Sequence, residues 1–279
     1  MKDWHAYNKP LIKRGEILFS FDFLHTWDKE TENMNQKKVG RQFVYPNSFI
    51  IVLSYIKAYF HLPYRQTDGL MKAVGRELPD HPSYGQINRR MNQLNVKIES
   101  NEKEKDDGDY VVIAIDSTGI KITNRGRRMR DKWNVKKKKG YLKIHLAVNI
   151  KTREIRSLEV TDERFHDSKV MCKLIANIKS KDIKIRGAFA DGACDTNTNF
   201  AFLSSRQIVP MIRVRRNAAV SERNCSSRNK AVLLQLQKDW KKDTGYGKRW
   251  IAETAFSPLK RMFGEYASAI RFENMVKEI

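Results

Sequence analysis

Two aspartates each close an apolar run. Asp116 follows Val111-Val112-Ile113-Ala114-Ile115, and Asp191 follows Gly187-Ala188-Phe189-Ala190. Each run reads as a buried strand, so each carboxylate is expected at a strand's carboxyl end, where sites of α/β sheets collect. If the two strands are neighbours, the side chains converge. Convergent carboxylates repel unless a cation lies between them, and hard oxygen ligands with open positions suit Mg²⁺. Taken singly, each Asp also reads as a turn former or helix N-cap. The pair is more informative than either member.

A third carboxylate comes from the last long helical pattern. Tyr246, Arg249, Glu253 and Lys260 are spaced 3, 4 and 7 apart. On a helix they fall within roughly 60° of one another, on one face. That face offers a metal ligand flanked by two cations and a phenol. It suits a phosphodiester, with the carboxylate for metal and Arg and Lys for phosphate oxygens. Pro258 interrupts the hydrogen-bond ladder, so a kink is expected to displace Lys260. The plainer reading is an i,i+4 Arg–Glu surface pair, worth a few tenths of a kcal/mol.

The elements that must position these groups follow from periodicity and breakers. Val111–Ile115 is expected to pair with Gly119–Thr123. Tyr141–Ile150 alternates with period two, and Glu154–Val160 is a further strand. A helix over Asp167–Ile178 is expected to be capped by Asp167 after His166. A strand over Ile183–Ala190, a helix over Thr196–Ser204 and a strand over Ile208–Ile212 follow. Helices near Arg228–Lys241 and Gly247–Phe263 close the pattern. Antiparallel strands followed by βα units predict a mixed α/β sheet. His145, on an alternating strand, is expected to be a satisfied sheet histidine.

Residues 1–100 read as helical: Asn47–Phe60 capped at Asn47 or Ser48, a break at His61-Leu62-Pro63, then Tyr64–Glu77 and Tyr84–Leu94. Arg89 and Arg90 are expected to be exposed on the third helix, as in a helix-turn-helix DNA reader. A small bundle with solvated arginines is the even alternative. Residues 101–110 carry five acids and two lysines and read as a solvated linker to a domain over 111–279.

The chain has 279 residues, with 54 Lys plus Arg against 32 Asp plus Glu, a net charge of +22. That excess points to a polyanion, with nucleic acid ahead of an anionic membrane surface. Most of it lies after residue 110. The segment Lys121–Lys143 alone holds 11 basic residues and a single acid, Asp131, and should be a loop that tracks a phosphate backbone, including Lys136, Lys137, Lys138 and Lys139. Phe49–Phe60 is too short to span a bilayer, and the N-terminus shows no secretory signal. Cys172, Cys194 and Cys225, without CxxC spacing, argue against disulfides and cysteine zinc sites and fit a reduced cytoplasmic setting. A Ser-His-Asp reading fails for want of a nucleophile-elbow pattern.

The stretch Tyr246-Gly-Lys-Arg249-Trp-Ile-Ala-Glu253-Thr-Ala-Phe-Ser-Pro-Leu-Lys260 matches a Tyr-x2-Arg-x3-Glu-x6-Lys signature without a gap. In this it resembles the DDE transposases of insertion sequences. Ile115-Asp116-Ser-Thr-Gly-Ile-Lys121 resembles that group's block around the first aspartate. Asp191-Gly-Ala-Cys194-Asp195 resembles the block around the second, with Cys where Tyr is frequent. The blocks Asp3-Trp4-x-x-Tyr7-Asn8-Lys9-x-Leu11-x-Lys13-Arg14-Gly15 and Leu62-Pro63-Tyr64-Arg65-Gln66-Thr67-Asp68-Gly69 look like those of the branch typified by insertion sequence five.

The resemblance implies an RNase H-like mixed-sheet core preceded by a small helical domain. It implies Asp116, Asp191 and Glu253 as catalytic and metal-binding residues, with two Mg²⁺ ions for which Mn²⁺ substitutes. DNA would be held by Tyr246, Arg249, Lys260, Trp250, Lys136–Lys139, Arg89 and Arg90. Trp133 and Trp250 are candidates to stack on an unstacked base, with core packing as the alternative. The implied activity is cleavage of double-stranded DNA at terminal inverted repeats, then strand transfer into target DNA by a 3′ hydroxyl. The implied assembly is a homodimer on DNA, without membrane, in a prokaryotic cytoplasm. A stand-alone metal-dependent nuclease and an inactive DNA-binding remnant are the alternatives. Relatives usually continue beyond the equivalent of Ile279 with another apolar segment, so C-terminal truncation is expected.

Overall fold

The computed structural model describes residues 3–5, 8–9, 12, 15–16, 20–74, 80–94, 110–123, 140–178, 184–269 and 271–279. Contacts divide the chain into two compact units, residues 1–96 with 271–279, and residues 97–270. The last segment groups by contacts with the N-terminal residues. Lys136–Lys139 and Trp133, with most of the basic loop, lie outside the described residues, as do most of the acidic segment and residues 75–79.

The first unit is helical. It contains α1 (Phe23–Asn35), α2 (Asn47–Tyr59), α3 (Tyr64–Val74), α4 (Tyr84–Gln93) and α10 (Phe272–Glu278). Its core is aromatic at one end, where the rings of Phe23, Trp27, Tyr45 and Phe49 touch one another, and aliphatic at the other, through Ile50, Leu53 and Ile87. The helix α4 starts with a capping box between Ser83 and Gln86, and its first amide also donates to the Asp68 carboxylate at 2.9 Å. A carboxylate at a helix N-terminus satisfies an orphan N–H and complements the macrodipole.

The second unit is a mixed sheet with helices. Its strands are β1 (Tyr110–Ile122), β2 (Tyr141–Asn149), β3 (Ile155–Asp162), β4 (Lys184–Ala190), β5 (Val209–Ile212) and β6 (Tyr266–Ala267). The order is β3-β2-β1-β4-β5, with β6 also on β1. The pairs β1–β2 and β2–β3 are antiparallel, while β1 runs parallel to β4 and to β6, and β4 runs parallel to β5. The helices are α5 (Asp167–Ala176), α6 (Asn197–Ser205), α7 (Ser226–Gln235), α8 (Trp240–Asp243) and α9 (Trp250–Phe263). The expectation of a mixed α/β core holds.

One expectation is corrected. Val111–Ile115 and Gly119–Thr123 are not two paired strands; all but Thr123 belong to one 13-residue strand, β1, whose antiparallel partner is β2 from Ile113↔Asn149 to Lys121↔Tyr141. The Ser117-Thr118-Gly119 stretch stays extended because each residue has a cross-strand partner, and the Tyr141 ring lies over Gly119. An aromatic across from a strand glycine covers the backbone that glycine leaves bare.

The two faces of this sheet differ. Strand side chains alternate, so Val111, Ile113 and Ile115 share a face with Ala188 and Ala190. They pack with Val170, Met171 and Leu174 of α5, Phe200 and Leu203 of α6, and Ala231 of α7. The other face of β1, with Ala114 and Asp116, is the one α9 packs against, through Ile251, Ala252 and Phe256.

Candidate active site

Asp116 lies inside β1, not at its end. On the side facing β4, the strand pairs with β4 at Tyr110–Ala114 and with β6 at Lys121–Ile122, and Asp116 falls between. The register Ala114↔Phe189, continued by two residues, sets Asp191 beside Asp116 on the same face. The open stretch of β1 thus takes the place of the strand end expected from sequence. Asp191 does follow the last residue of β4. One of its oxygens accepts from the Ala193 amide at 2.9 Å and so caps the 3₁₀ turn Gly192–Cys194.

Glu253 is brought to this face by α9. It lies in the helix's first turn, its side chain half exposed, while Ile251, Ala252 and Phe256 point inward. The helix runs through Pro258 without ending, and Lys260 is half-buried in its last turn.

The expected single helical face is split. Tyr246–Arg249 forms a separate 3₁₀ turn ahead of α9, entered through Gly245 at φ +64°. The left-handed conformation at Gly245 is one a side chain would strain. The phenol of Tyr246 is buried, not presented to solvent. Its hydroxyl donates to the Ala190 carbonyl at 3.1 Å, and its ring meets Phe189 and Trp240. Burial first, then the nearby carboxylates, hold the phenol above its ordinary pKa despite Arg249. Tyr246 therefore braces the start of α9 against the residue before Asp191, and its phenol does not share the exposed face that carries Glu253.

Arg249 reaches into the carboxylates. Its Nη1 lies 3.3 Å from Asp116 Oδ2, and its Nη2 donates to Glu253 Oε1. Burial raises the Asp116 pKa, against the Ser117 amide and Arg249; the charges of Asp191 and Glu253 push it further up. The three carboxylates thus share one field, with a guanidinium between two of them. Among the described residues, no three His, Cys, Asp or Glu side chains lie close enough together to hold an ion as they stand. Trp250, next to Arg249, is 52% exposed, so the core-packing reading fails for it.

Several residues without an expected role support this site. Asp195 is buried. Arg228 Nε donates to its Oδ1 at 2.7 Å and Nη2 to its Oδ2 at 3.1 Å, and the Arg215 amide donates to Oδ2 at 3.0 Å. Burial alone would raise this carboxyl; the Arg228 bonds and charge and the Arg215 amide outweigh it and hold it below the ordinary value. Asp195 thereby ties the turn after Asp191 to α7. The aspartate itself was visible in the Asp191-Gly-Ala-Cys-Asp195 block; nothing in the sequence marked Arg228 as its partner.

On the opposite face of β1, Ser117 donates to Asp167 Oδ2 at 3.1 Å, and Lys143 Nζ donates to Oδ1 at 3.1 Å. Asp167 is the first helical residue of α5, not its N-cap, which is His166. His145 is buried and bonded to Thr161 at 2.8 Å, as expected of a sheet histidine. Cys194 is buried too, in the core beside α5 and α6, and desolvation pushes its thiol up to about 12, away from the reactive thiolate.

In the helical unit the two neighbouring arginines separate. Arg89 is exposed. Arg90 is 8% exposed; it donates to Asn47 Oδ1 at 2.7 Å and stacks over Phe43 at 4.3 Å. The expectation that both are exposed fails for Arg90, because consecutive helical residues point about 100° apart. Arg41, Gln86, Arg89 and Gln93 line a cavity of about 210 Å³ beside Phe43. Among the described residues, no helix is long and apolar enough to cross a membrane.

Two family models match the chain. One, described as "Transposase DDE domain", covers residues 107–279, and a second of the same description covers residues 12–125. The first spans every strand of the sheet unit and all three carboxylates. The chain belongs to the DDE transposase family.

Proposed function

We propose that the protein cleaves DNA at the ends of a mobile element and joins the freed 3′ hydroxyl to target DNA. The observation that carries this reading is that Arg249 bridges Asp116 of β1 and Glu253 of α9, while the charge of Asp191, just after β4, acts on Asp116 from the same face of the sheet. The carboxylates supply only hard oxygen donors, partly desolvated and mutually repelling, which suits divalent ions of the Mg²⁺ or Mn²⁺ class. When bound, such ions lower the pKa of the attacking water or hydroxyl and stabilise the leaving oxygen of an in-line displacement.

The remaining work falls to the protein's own groups. Asp116, Asp191 and Glu253 hold the ions. Arg249 and Lys260 bind phosphate oxygens near the reacting end, and Trp250 offers a face for an unstacked base. Tyr246 keeps α9 fixed against β4. Lys136–Lys139 track the backbone without reading sequence, and Arg89 offers a further phosphate contact within the helical unit. Arg90 is left out of that set. A homodimer assembled on terminal inverted repeats and an insertion sequence five-like branch complete the reading.

The test uses DNA from the flanks of the coding sequence, where short inverted repeats are expected. Asp116→Asn, Asp191→Asn and Glu253→Gln should each abolish Mg²⁺-dependent cleavage in a gel assay while a mobility shift shows binding retained. Full cleavage by any one variant removes that residue from the triad. Cleavage of repeat and unrelated DNA alike, without joining, would favour the stand-alone nuclease.

A further inference from the structure

Arg249 spends its guanidinium in an uncommon way. A lone Arg–carboxylate pair is commonly bidentate, with two parallel bonds to one acid. Arg249 instead gives one nitrogen to Asp116, 3.3 Å away, and another to Glu253. The two acids come from different elements, β1 and α9. The guanidinium is about one-fifth exposed and Asp116 slightly less, while Glu253 is half exposed. A single positive charge therefore lies where two carboxylates would otherwise repel, with Asp191 contributing to the same field. It is placed on the short turn Tyr246–Arg249, which Tyr246 anchors to the end of β4.

We propose that Arg249 is an internal counter-ion: it holds Asp116 and Glu253 together in the metal-free chain, and a divalent cation displaces it. This rests on the reading that Asp116, Asp191 and Glu253 hold the metal. Arg249 engages one oxygen of each of two carboxylates, so a divalent cation drawn to the same negative charge competes with the guanidinium. The exchange returns a free guanidinium beside the reacting phosphodiester, so metal loading and phosphate capture are coupled. By linkage the coupling is reciprocal: DNA that captures Arg249 strengthens metal binding, and metal that releases Arg249 strengthens DNA binding. The half-exposed Glu253 side of the bridge is the one that opens most readily, because water can satisfy both groups there.

The test measures binding of Mn²⁺ alone to the full chain, without DNA, from the free-ion spin-resonance signal. Wild type is compared with Arg249→Ala and Arg249→Gln, folding being checked by circular dichroism. Both variants should bind Mn²⁺ about 5- to 50-fold more tightly, a typical coupling between linked sites. Both should melt at a lower temperature than wild type without metal, and gain more on adding Mn²⁺. Arg249→Lys should fall between them and wild type. Equal or weaker Mn²⁺ binding by both Arg249→Ala and Arg249→Gln overturns the proposal. Asp116→Asn separates the two readings. If it loses Mn²⁺ while the Arg249 variants bind as wild type does, only the counter-ion role falls. If Asp116→Asn binds Mn²⁺ like wild type, the metal reading falls and takes the counter-ion with it.

Discussion

Two arginines of the sheet unit meet aspartates in opposite ways. Arg228 places two nitrogens on both oxygens of Asp195, whose side chain is 0% exposed, and the Arg215 amide completes the set. Arg249 divides itself between Asp116 and Glu253 in a half-open site. The first arrangement leaves nothing for another ligand to take. The second leaves carboxylate lone pairs free and its ion pair partly wet. The pKa directions agree: Asp195 is held below its ordinary value, whereas Asp116 is held above it. One pair is built to stay closed; the other is a charge arrangement that a stronger cation improves.

The comparison breaks most visibly at Asp195. Asp195→Ala strands Arg228 beside a buried gap and should cost about 3–5 kcal/mol in urea unfolding at pH 7, the range for one partner lost from a buried pair. The effect should depend on pH. A carboxyl whose folded pKa is lowered stabilises above its unfolded value, near 4, and loses that contribution as pH falls through the folded value. The difference between wild type and Asp195→Asn should therefore be full at pH 6–7 and shrink below about pH 4. A difference that does not change with pH would mean the pair contributes packing, not charge.

Arg249 is next. At saturating metal, Arg249→Ala should slow single-turnover cleavage by the equivalent of roughly 2–4 kcal/mol, the range for one lost oxyanion contact. Its folding stability should change far less than that of the Asp195 variant. A wild-type rate would mean the arginine never meets the phosphate.

Asp116 should show the smallest effect on stability. Its raised pKa has the opposite sign: its contribution is present below the unfolded value and lost as pH rises through the folded one, so the ionised carboxylate is a burden at neutral pH. Asp116→Asn should then melt within about 1 kcal/mol of wild type, or above it, while losing cleavage. A loss as large as that at Asp195 would make Asp116 a structural residue.

Much of this was legible in the sequence, for local reasons. Asp191 was found because an apolar run ended on Asp-Gly, and the strand does end there. Glu253, Arg249 and Lys260 were found because helical spacing is a local property. Asp116 was named for a strand end it does not occupy, since Ser-Thr-Gly reads as a turn until Tyr141 and the rest of β2 lie alongside. The spacing places Tyr246 on the face of Glu253, and it carries no signal of the 3₁₀ turn Tyr246–Arg249 that takes Tyr246 off the α9 register. The helix α1 has no clear periodic signal, because only Phe23 and Trp27 of its 13 residues are buried. Arg228 lies 33 residues beyond Asp195, and only the packing of α7 joins them.

The claim that the three carboxylates bind metal for DNA cleavage is tested most directly by changing the softness of one ligand. Asp191→Cys replaces a hard oxygen with a thiolate, which favours softer ions. Cleavage of end-bearing DNA by this variant should be lost in Mg²⁺ and recovered in part in Mn²⁺, with DNA binding unchanged in a mobility shift. Cleavage in Mg²⁺ at the wild-type rate would contradict the account, because Asp191 would then stand beside the chemistry without holding its metal.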